Sequence, residues 1–164
     1  MRHDLPDVAE LLELEGRVRH GGSGLQSGDL LGCWWLDQIW PKGQTRAATV
    51  SAALLRGLSA RLEITTSGGQ LELSNAVTLG VLELRFRGPG WLTGIRPLLR
   101  FRFDVLTVSL AGRRLLERRL PQPAATREPF FALIGRSPEG WMAARGRGGG
   151  LALWRLRGHP ATDV

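Results

Sequence analysis

The chain is poor in the residues that build disulfides, metal centres and membrane spans. Its 164 residues include one cysteine (Cys33), three histidines, one lysine and no tyrosine. A lone cysteine excludes an internal disulfide, and the histidines, at positions 3, 20 and 159, have no metal-ligand spacing. No apolar run approaches the ~20 residues of a transmembrane helix, and the first residues carry no secretory signal. We therefore expect no metal, no cofactor of its own, and a cytoplasmic or peripheral membrane location.

Catalytic signatures are also missing. No serine lies in the context of a nucleophile elbow, and no pair of acidic residues interrupts an apolar pattern. The glycine-rich residues 146–150 are not followed by the Lys-Ser/Thr of a phosphate-binding loop. The sequence therefore predicts a protein that is not an enzyme.

Charge is distributed unevenly along the chain. The net charge is +7, but residues 1–29 hold six acidic residues against three arginines, whereas residues 30–164 hold nine against nineteen basic residues. Such a basic surface attracts nucleic acid, anionic lipid or an acidic protein. The almost exclusive use of arginine has an equally good explanation in a GC-rich genome.

The spacing of apolar residues divides the chain into a leader, one barrel-sized domain and a tail. Apolar residues recur at helical spacing over residues 5–15, and the flexible sequence Gly-Gly-Ser-Gly follows at 21–24. Residues 1–29 are thus predicted to form an acidic helix and linker, residues 30–158 the domain, and residues 159–164 a tail. A second helical pattern covers residues 48–58.

Most of the remaining sequence alternates apolar and polar residues, which indicates half-buried β-strands. We predict about nine strands, at residues 31–40, 61–66, 70–77, 79–87, 99–110, 113–120 and 130–135, and in a closing hairpin over 141–157. Gly88-Pro89-Gly90 is expected to break the chain between strands, and a switch of polarity near Leu106 indicates a bulge. The pattern predicts an all-β fold, an antiparallel β-barrel of about eight to nine strands with a short N-terminal helix.

The first predicted strand carries the tripeptide Gly32-Cys33-Trp34. A glycine before a buried tryptophan resembles the opening strand of lipocalin-like proteins. That resemblance implies that Trp34 lies at the closed end of the barrel and that an arginine of the last strands crosses its ring. The expected barrel-closing residues are Gly32, Trp34, Arg145 and Arg155.

Two longer motifs resemble the plastid lipid-associated protein (PAP)/fibrillin family. LLGCWWLDQIW at 30–40 is similar to that family's L-x-G-x-W-x-L opening, and residues 143–154 are similar to its C-terminal motif of an apolar pair, Arg-Gly, a glycine turn and an apolar strand. Between them, LSNAV at 73–77 places an asparagine in an apolar strand, as the family does. The family's aromatic and Asp-rich stretch before Arg-Gly is missing, as is the Tyr-Thr after its opening tryptophan.

The resemblance implies a divergent, compact, cyanobacterial-type member of that family. Such a protein would be a non-catalytic binder of an isoprenoid lipid, quinone or pigment at thylakoid or lipid-globule surfaces. The expected lining of its cavity is apolar, with Asn75 and Arg145 as the polar contacts. The predicted ligand-binding residues are Trp40, Asn75, Phe86, Phe101, Phe103, Phe131 and Arg145. The alternative is that the aromatic side chains simply fill the barrel and that Asn75 bonds neighbouring backbone.

Other functions stay open at this level. The same fold with a filled interior would serve as an assembly or interaction factor that holds a photosynthetic protein by its basic face. Bilin lyases also use lipocalin-like barrels, although Cys33 gives no support because those enzymes attach bilin to a cysteine of their client.

The Arg-Gly sequence at 145–150 resembles an RNA-binding RGG element, but it is a single copy between strands rather than a disordered repeat. Aromatics alternate with arginines at 100–103 and are expected to face inward, so base stacking is not predicted. The expected macromolecular partner is an anionic membrane surface or an acidic protein.

Overall fold

A computed structural model describes residues 5–46 and 60–158 of the chain. Within these ranges one α-helix precedes ten strands, with short 3-10 turns at Ser27–Leu30 and Ala125–Arg127. The helical pattern predicted for residues 48–58 lies outside the described residues. The elements are α1 Val8–Gly21, β1 Gly32–Trp40, β2 Arg61–Ser67, β3 Gln70–Leu79, β4 Leu82–Thr93, β5 Leu98–Phe101, β6 Val105–Leu110, β7 Arg113–Arg119, β8 Phe130–Ser137, β9 Trp141–Gly146 and β10 Leu151–Leu156.

Eight of these strands close into an antiparallel barrel. They follow the order β3-β2-β1-β10-β9-β8-β5-β4, and β4 pairs back onto β3. The first and last strands are neighbours, because β1 pairs with β10. The predicted lipocalin-like, all-β barrel with a short N-terminal helix is confirmed.

Strand β4 is the longest strand and is shared between two parts of the molecule. It has twelve residues, of which 82–90 pair with β3 along one edge. On the other edge, residues 90–93 pair with β5 and residues 82–87 pair with β6. Strands β6 and β7 therefore continue the sheet beyond the barrel wall. We call residues 75–79 and 82–87, together with β6 and β7, the extension.

The chain crosses from barrel to extension at residues 102–104, which corrects two predictions from the sequence. The segment 99–110 is two strands rather than one, and Gly88-Pro89-Gly90 continues β4 rather than breaking it. At the crossing, Arg102 N donates to Pro89 O at 3.2 Å, and a Cβ on Gly88 would collide with the carbonyl oxygen of Arg102. The glycine is therefore needed for close backbone approach.

Helix α1 packs on the outer wall of the barrel. It begins at a capping box, in which Asp7 accepts from Glu10 N and Glu10 accepts from Asp7 N, both at 2.8 Å. Leu11 is fully buried and packs with Trp40, Ile134 and residues of the closing hairpin. The helix of the acidic leader is therefore packed against the barrel.

The interior of the barrel is filled by a single apolar cluster. The inward side chains of its strands are buried because they alternate with outward residues along each strand. The fully or nearly buried members are Leu30, Trp34, Leu62, Ile64, Leu71, Leu73, Leu99, Phe101, Leu133, Met142, Ala144 and Trp154.

The backbone conformation and packing of the first strand can be tested at Gly32. Its φ is 147°, and a Cβ there would collide with Leu156 Cδ1. We expect Gly32→Ala to lower the free energy of unfolding by about 2–4 kcal/mol, because backbone strain adds to overpacking. Gly16→Ala is the control: Gly16 is helical, with open space around it, and this change should raise stability by about 0.5–1 kcal/mol. Urea unfolding measures the change in the free energy of unfolding for both variants. Equal changes in Gly32→Ala and Gly16→Ala would contradict the prediction.

Candidate functional site

Five aromatic rings form a continuous row from the barrel interior towards its rim. Their centroids are 5.3 Å apart for Trp154 and Phe131, 5.2 Å for Phe131 and Phe101, 5.3 Å for Phe101 and Phe103, and 5.7 Å for Phe103 and Phe86. The rings are tilted or edge-on to each other, the arrangements that aromatic pairs prefer. Trp154 and Phe101 are buried, whereas the other three rings are half-buried. We call these five residues the aromatic row.

Four members of the aromatic row were predicted from the sequence, and one was missed. Phe86, Phe101, Phe103 and Phe131 come together as the alternation of their strands indicates. Trp154 was missed because strand β10 reads LALWRL, in which apolar residues stand on both faces. One face of β10 packs into the interior and the other packs under helix α1, so alternation gives no direction. Only the position of helix α1 in the folded structure shows which face of β10 is the interior one.

Trp40 does not belong to the site, which corrects its predicted place in the cavity. The pairing of β1 with β10 shifts register between Leu36 and Gln38. A bulge of this kind turns the residues after it to the opposite face of the sheet. Trp40 is consequently buried outside the barrel, against Leu11 of helix α1.

Asn75 lies on the interior face of the sheet but is exposed. Its cross-strand partners are Leu62 on β2 and Phe86 on β4. The residue stands at the start of the extension, where the barrel no longer encloses that face. The amide is therefore solvated beside the outer end of the aromatic row, rather than buried and bound to backbone.

Arg145 lies on the outer face of β9, which corrects its predicted place in the cavity and over Trp34. Its Nε and one terminal nitrogen donate to the two carboxylate oxygens of Glu15 at 2.7 and 2.6 Å. The other terminal nitrogen donates to Gly149 O at 2.7 Å. Glu15 is 3% exposed, and it also accepts from Arg96 at 3.1 Å. The sequence pattern does not single out Glu15, because a glutamate in an acidic helix is usually solvated.

This ion pair shifts the protonation equilibria of both partners. The hydrogen bond from Arg145 outweighs burial and lowers the pKa of Glu15 below its ordinary value of 4.5. The same hydrogen bond raises the pKa of Arg145. The pair is ionised at neutral pH and attaches helix α1 to the closing hairpin.

The arginine that crosses Trp34 comes from β8. The guanidinium of Arg136 is 5.9 Å from the centroid of the Trp34 ring. Trp34 is fully buried, and its Nε1 donates to Leu30 O at 2.8 Å. Arg155, the other candidate from the sequence, instead donates to Asp37 at 2.9 Å. The closing role predicted for Trp34 thus has a different cationic partner.

Four charged side chains form a closed ring on the opposite face of the sheet from the aromatic row. Arg61 contacts Glu63 at 3.1 Å and Glu83 at 2.6 Å, and Arg85 contacts the same two carboxylates at 2.9 and 3.0 Å. Burial opposes ionisation of Glu83, but the hydrogen bonds from both arginines outweigh it and lower its pKa. The ring is neutral overall, so Arg61 and Arg85 add no net positive charge to this face.

Two surface grooves lie apart from the aromatic row. A cavity of about 470 Å³ opens beside the crossing at residues 102–104, and another of the same volume lies between helix α1 and the β8–β9 hairpin. Neither includes a ring of the row among its lining residues. The accessible part of the row is its half-buried outer end, next to Asn75.

Comparison with known proteins adds no family assignment. Neither the protein-family models nor the curated proteins include a match to this chain. Within residues 5–46 and 60–158, no helix combines the length and apolarity that a membrane crossing requires. In the same ranges, no group of three His, Cys, Asp or Glu side chains is arranged to hold a metal ion.

The pair between Glu15 and Arg145 makes stability depend on pH. We expect Glu15→Gln to lower the free energy of unfolding at pH 7 by about 2–4 kcal/mol, because it leaves a partly buried guanidinium without its carboxylate. The folded-state pKa of Glu15 is lowered, so its stabilisation is present above pH 4.5 and is lost as the pH falls through the folded-state pKa.

Urea unfolding of the wild type and of Glu15→Gln between neutral and acidic pH measures this difference, which should narrow towards low pH. The exposed Glu13, on the same helix, supplies the control Glu13→Gln, which should have little effect. A difference between wild type and Glu15→Gln that stays constant with pH would contradict the assignment.

Proposed function

We propose that this chain is a non-catalytic binding protein for an elongated apolar ligand, an isoprenoid lipid, quinone or pigment, at thylakoid or lipid-globule surfaces. The observation that carries the proposal is the aromatic row, whose outer rings are half-buried at the mouth of the barrel. A concave apolar surface with few polar groups is the usual form of a lipid or cofactor site.

The apolar surface continues beyond the barrel along one face of the extension. Across the β4–β6 ladder, Phe86 faces Leu106 and Leu84 faces Val108. Val77 of β3 stands beside Leu84 on the same face. A prenyl chain laid along this face would contact aliphatic side chains at one end and the aromatic row at the other, which removes apolar area from water along its length.

Asn75 supplies a polar contact at the right position for such a ligand. Its exposed amide lies directly across the ladder from Phe86. An amide nitrogen donates to a quinone or carbonyl oxygen, and an amide oxygen accepts from a hydroxyl. The resemblance of residues 30–40 and 143–154 to the PAP/fibrillin family supports the same ligand class.

The filled barrel interior favours a second candidate function. An interior packed with buried side chains needs no ligand, and the exposed arginines of β7 offer a basic edge to an acidic protein. The chain would then be an assembly or interaction factor, as for a photosynthetic complex. Ligand binding separates the two functions, because this second function predicts none.

Titration with a short-chain plastoquinone analogue tests the first function, with tryptophan fluorescence as the readout. We expect saturable quenching, and Phe86→Ala should weaken binding by about 5- to 20-fold, since one aromatic contact contributes ~1–2 kcal/mol. Phe130→Ala is the matched control: Phe130 is also a half-buried strand phenylalanine, but its ring lies under Arg100 rather than in the row.

Mass spectrometry of an organic extract of the purified protein supplements the titration. A prenyl lipid or pigment in the extract would support the proposal, whereas a bilin would indicate a chromophore carrier related to bilin lyases. An empty extract together with no saturable quenching would reject ligand carriage and leave the interaction factor.

A further inference from the structure

Two hairpin turns at the far end of the extension form one apolar tip. Leu79 and Leu82 flank the β3–β4 turn, and Leu110 precedes the β6–β7 turn. The turns touch, because Ala111 N donates to Val81 O at 2.7 Å. We call residues 79–82 and 110–112 the tip. It contains no charged residue, although Leu79 and Val81 are 61% and 64% exposed.

The backbone conformation of the β6–β7 turn favours a polar residue, but the turn is apolar. Ala111 and Gly112 have φ of 48° and 77°, the positive values at both central positions that a type I′ turn requires. Asparagine or aspartate is strongly preferred at the first of these positions, because alanine is strained there. The tip thus keeps a methyl group where a polar side chain would suit the backbone better.

Exposed apolar side chains are concentrated on the extension. Of the eight large exposed apolar residues in the described part of the chain, six lie on the extension or in its tip, and the other two, Leu12 and Ile95, stand on α1 and in the β4–β5 turn. A cluster of this kind marks an interaction surface, whereas scattered residues do not. The six are Leu79, Val81, Leu84, Leu110, Leu115 and Leu116.

Arginines follow directly behind the tip on β7. Every residue of this strand is exposed, and four of its seven residues are arginine. Its one acid, Glu117, is engaged by Arg114 at 2.7 Å. The strand therefore presents a net positive charge beside two exposed leucines. The arginines are Arg113, Arg114, Arg118 and Arg119.

We propose that the tip inserts into the interfacial region of an anionic bilayer while the β7 arginines bind lipid phosphates. Exposed apolar side chains beside arginines are the chemistry of a surface-inserting element. A second copy of the chain fits poorly, because pairing two β7 edges would bring four arginines against four. An acidic peptide would neutralise the arginines but leave the tip in water. A bilayer satisfies both.

The inference rests on the proposed association with lipid surfaces and gives that association a site. The apolar face of the extension joins the tip to the aromatic row through the pairs Leu82–Leu110 and Leu84–Val108. A ligand that leaves the bilayer at the tip would stay in contact with apolar side chains as far as Phe86. The tip itself has no part in holding the bound ligand.

Flotation with phosphatidylcholine vesicles, with and without phosphatidylglycerol, tests the inference. We expect the wild type to float with the anionic vesicles, and the double variant Val81→Ser/Leu110→Ser to lose at least tenfold in partitioning. Ile95→Ser is the matched control, because Ile95 is 85% exposed at the opposite end of β4. For the charges, Arg113→Gln, directly beside the tip, should weaken binding about fivefold, and Arg17→Gln on helix α1 should not.

Ala111→Asn separates docking from folding. Asparagine suits the positive φ of this position, so the variant should unfold at equal or higher urea than the wild type and yet bind anionic vesicles several-fold more weakly. Quenching by the plastoquinone analogue should be unchanged in all tip variants. If the membrane inference fails, vesicle binding is lost while quenching by the analogue remains. If the proposed ligand function fails, quenching is lost while vesicle binding remains.

Three results would overturn the inference. The first is no preference of the wild type for anionic vesicles. The second is an equal loss in Val81→Ser/Leu110→Ser and Ile95→Ser. The third is self-association in sedimentation experiments that the tip variants abolish, which would assign the tip to a second copy of the chain.

Discussion

The shared edge of strand β4 is the constraint on which the rest of the structure depends. β3 accompanies β4 along one side, while the other side is divided between β5 and β6. Residues 90–93 of this edge pair with β5 and complete the barrel, whereas residues 82–87 pair with β6 and begin the extension. The absence of a side chain at Gly88 lets the chain cross at Arg102. The open end of the barrel, the apolar face of the extension and the tip all depend on that crossing.

A second constraint on the structure is the buried carboxylate of Glu15. It holds helix α1 to the last hairpin through Arg145, and Arg145 in turn holds the glycine turn through Gly149. Because the helix covers the outer face of β8 to β10, those strands are apolar on both sides. Helix α1 therefore covers the barrel wall on one side, while the extension stays uncovered on the other. This asymmetry gives the molecule one covered side and one apolar, accessible face.

Much of the fold could be predicted from alternation, and part of the site could not. Phe86, Phe101, Phe103 and Phe131 were predicted to share one face, and they do, because period-2 alternation is local. Trp40 was misplaced because a single bulge near Leu36 turns the following residues over. Arg145 was misplaced because its partner lies 130 residues away in sequence. Asn75 was assigned the correct face, but its exposure depends on where the barrel ends.

The sequence by itself determined the class of fold, the apolar face of most strands, the N-terminal helix and the positions of most hairpin turns. These are properties of neighbouring residues, in which side-chain period, glycine and capping residues decide local geometry. Only the tertiary structure decided that β4 serves two sheets, that Arg136 rather than Arg155 lies over Trp34, and that two distant apolar turns meet in one tip. Each of these depends on register and closure, which bring together residues that no local pattern connects.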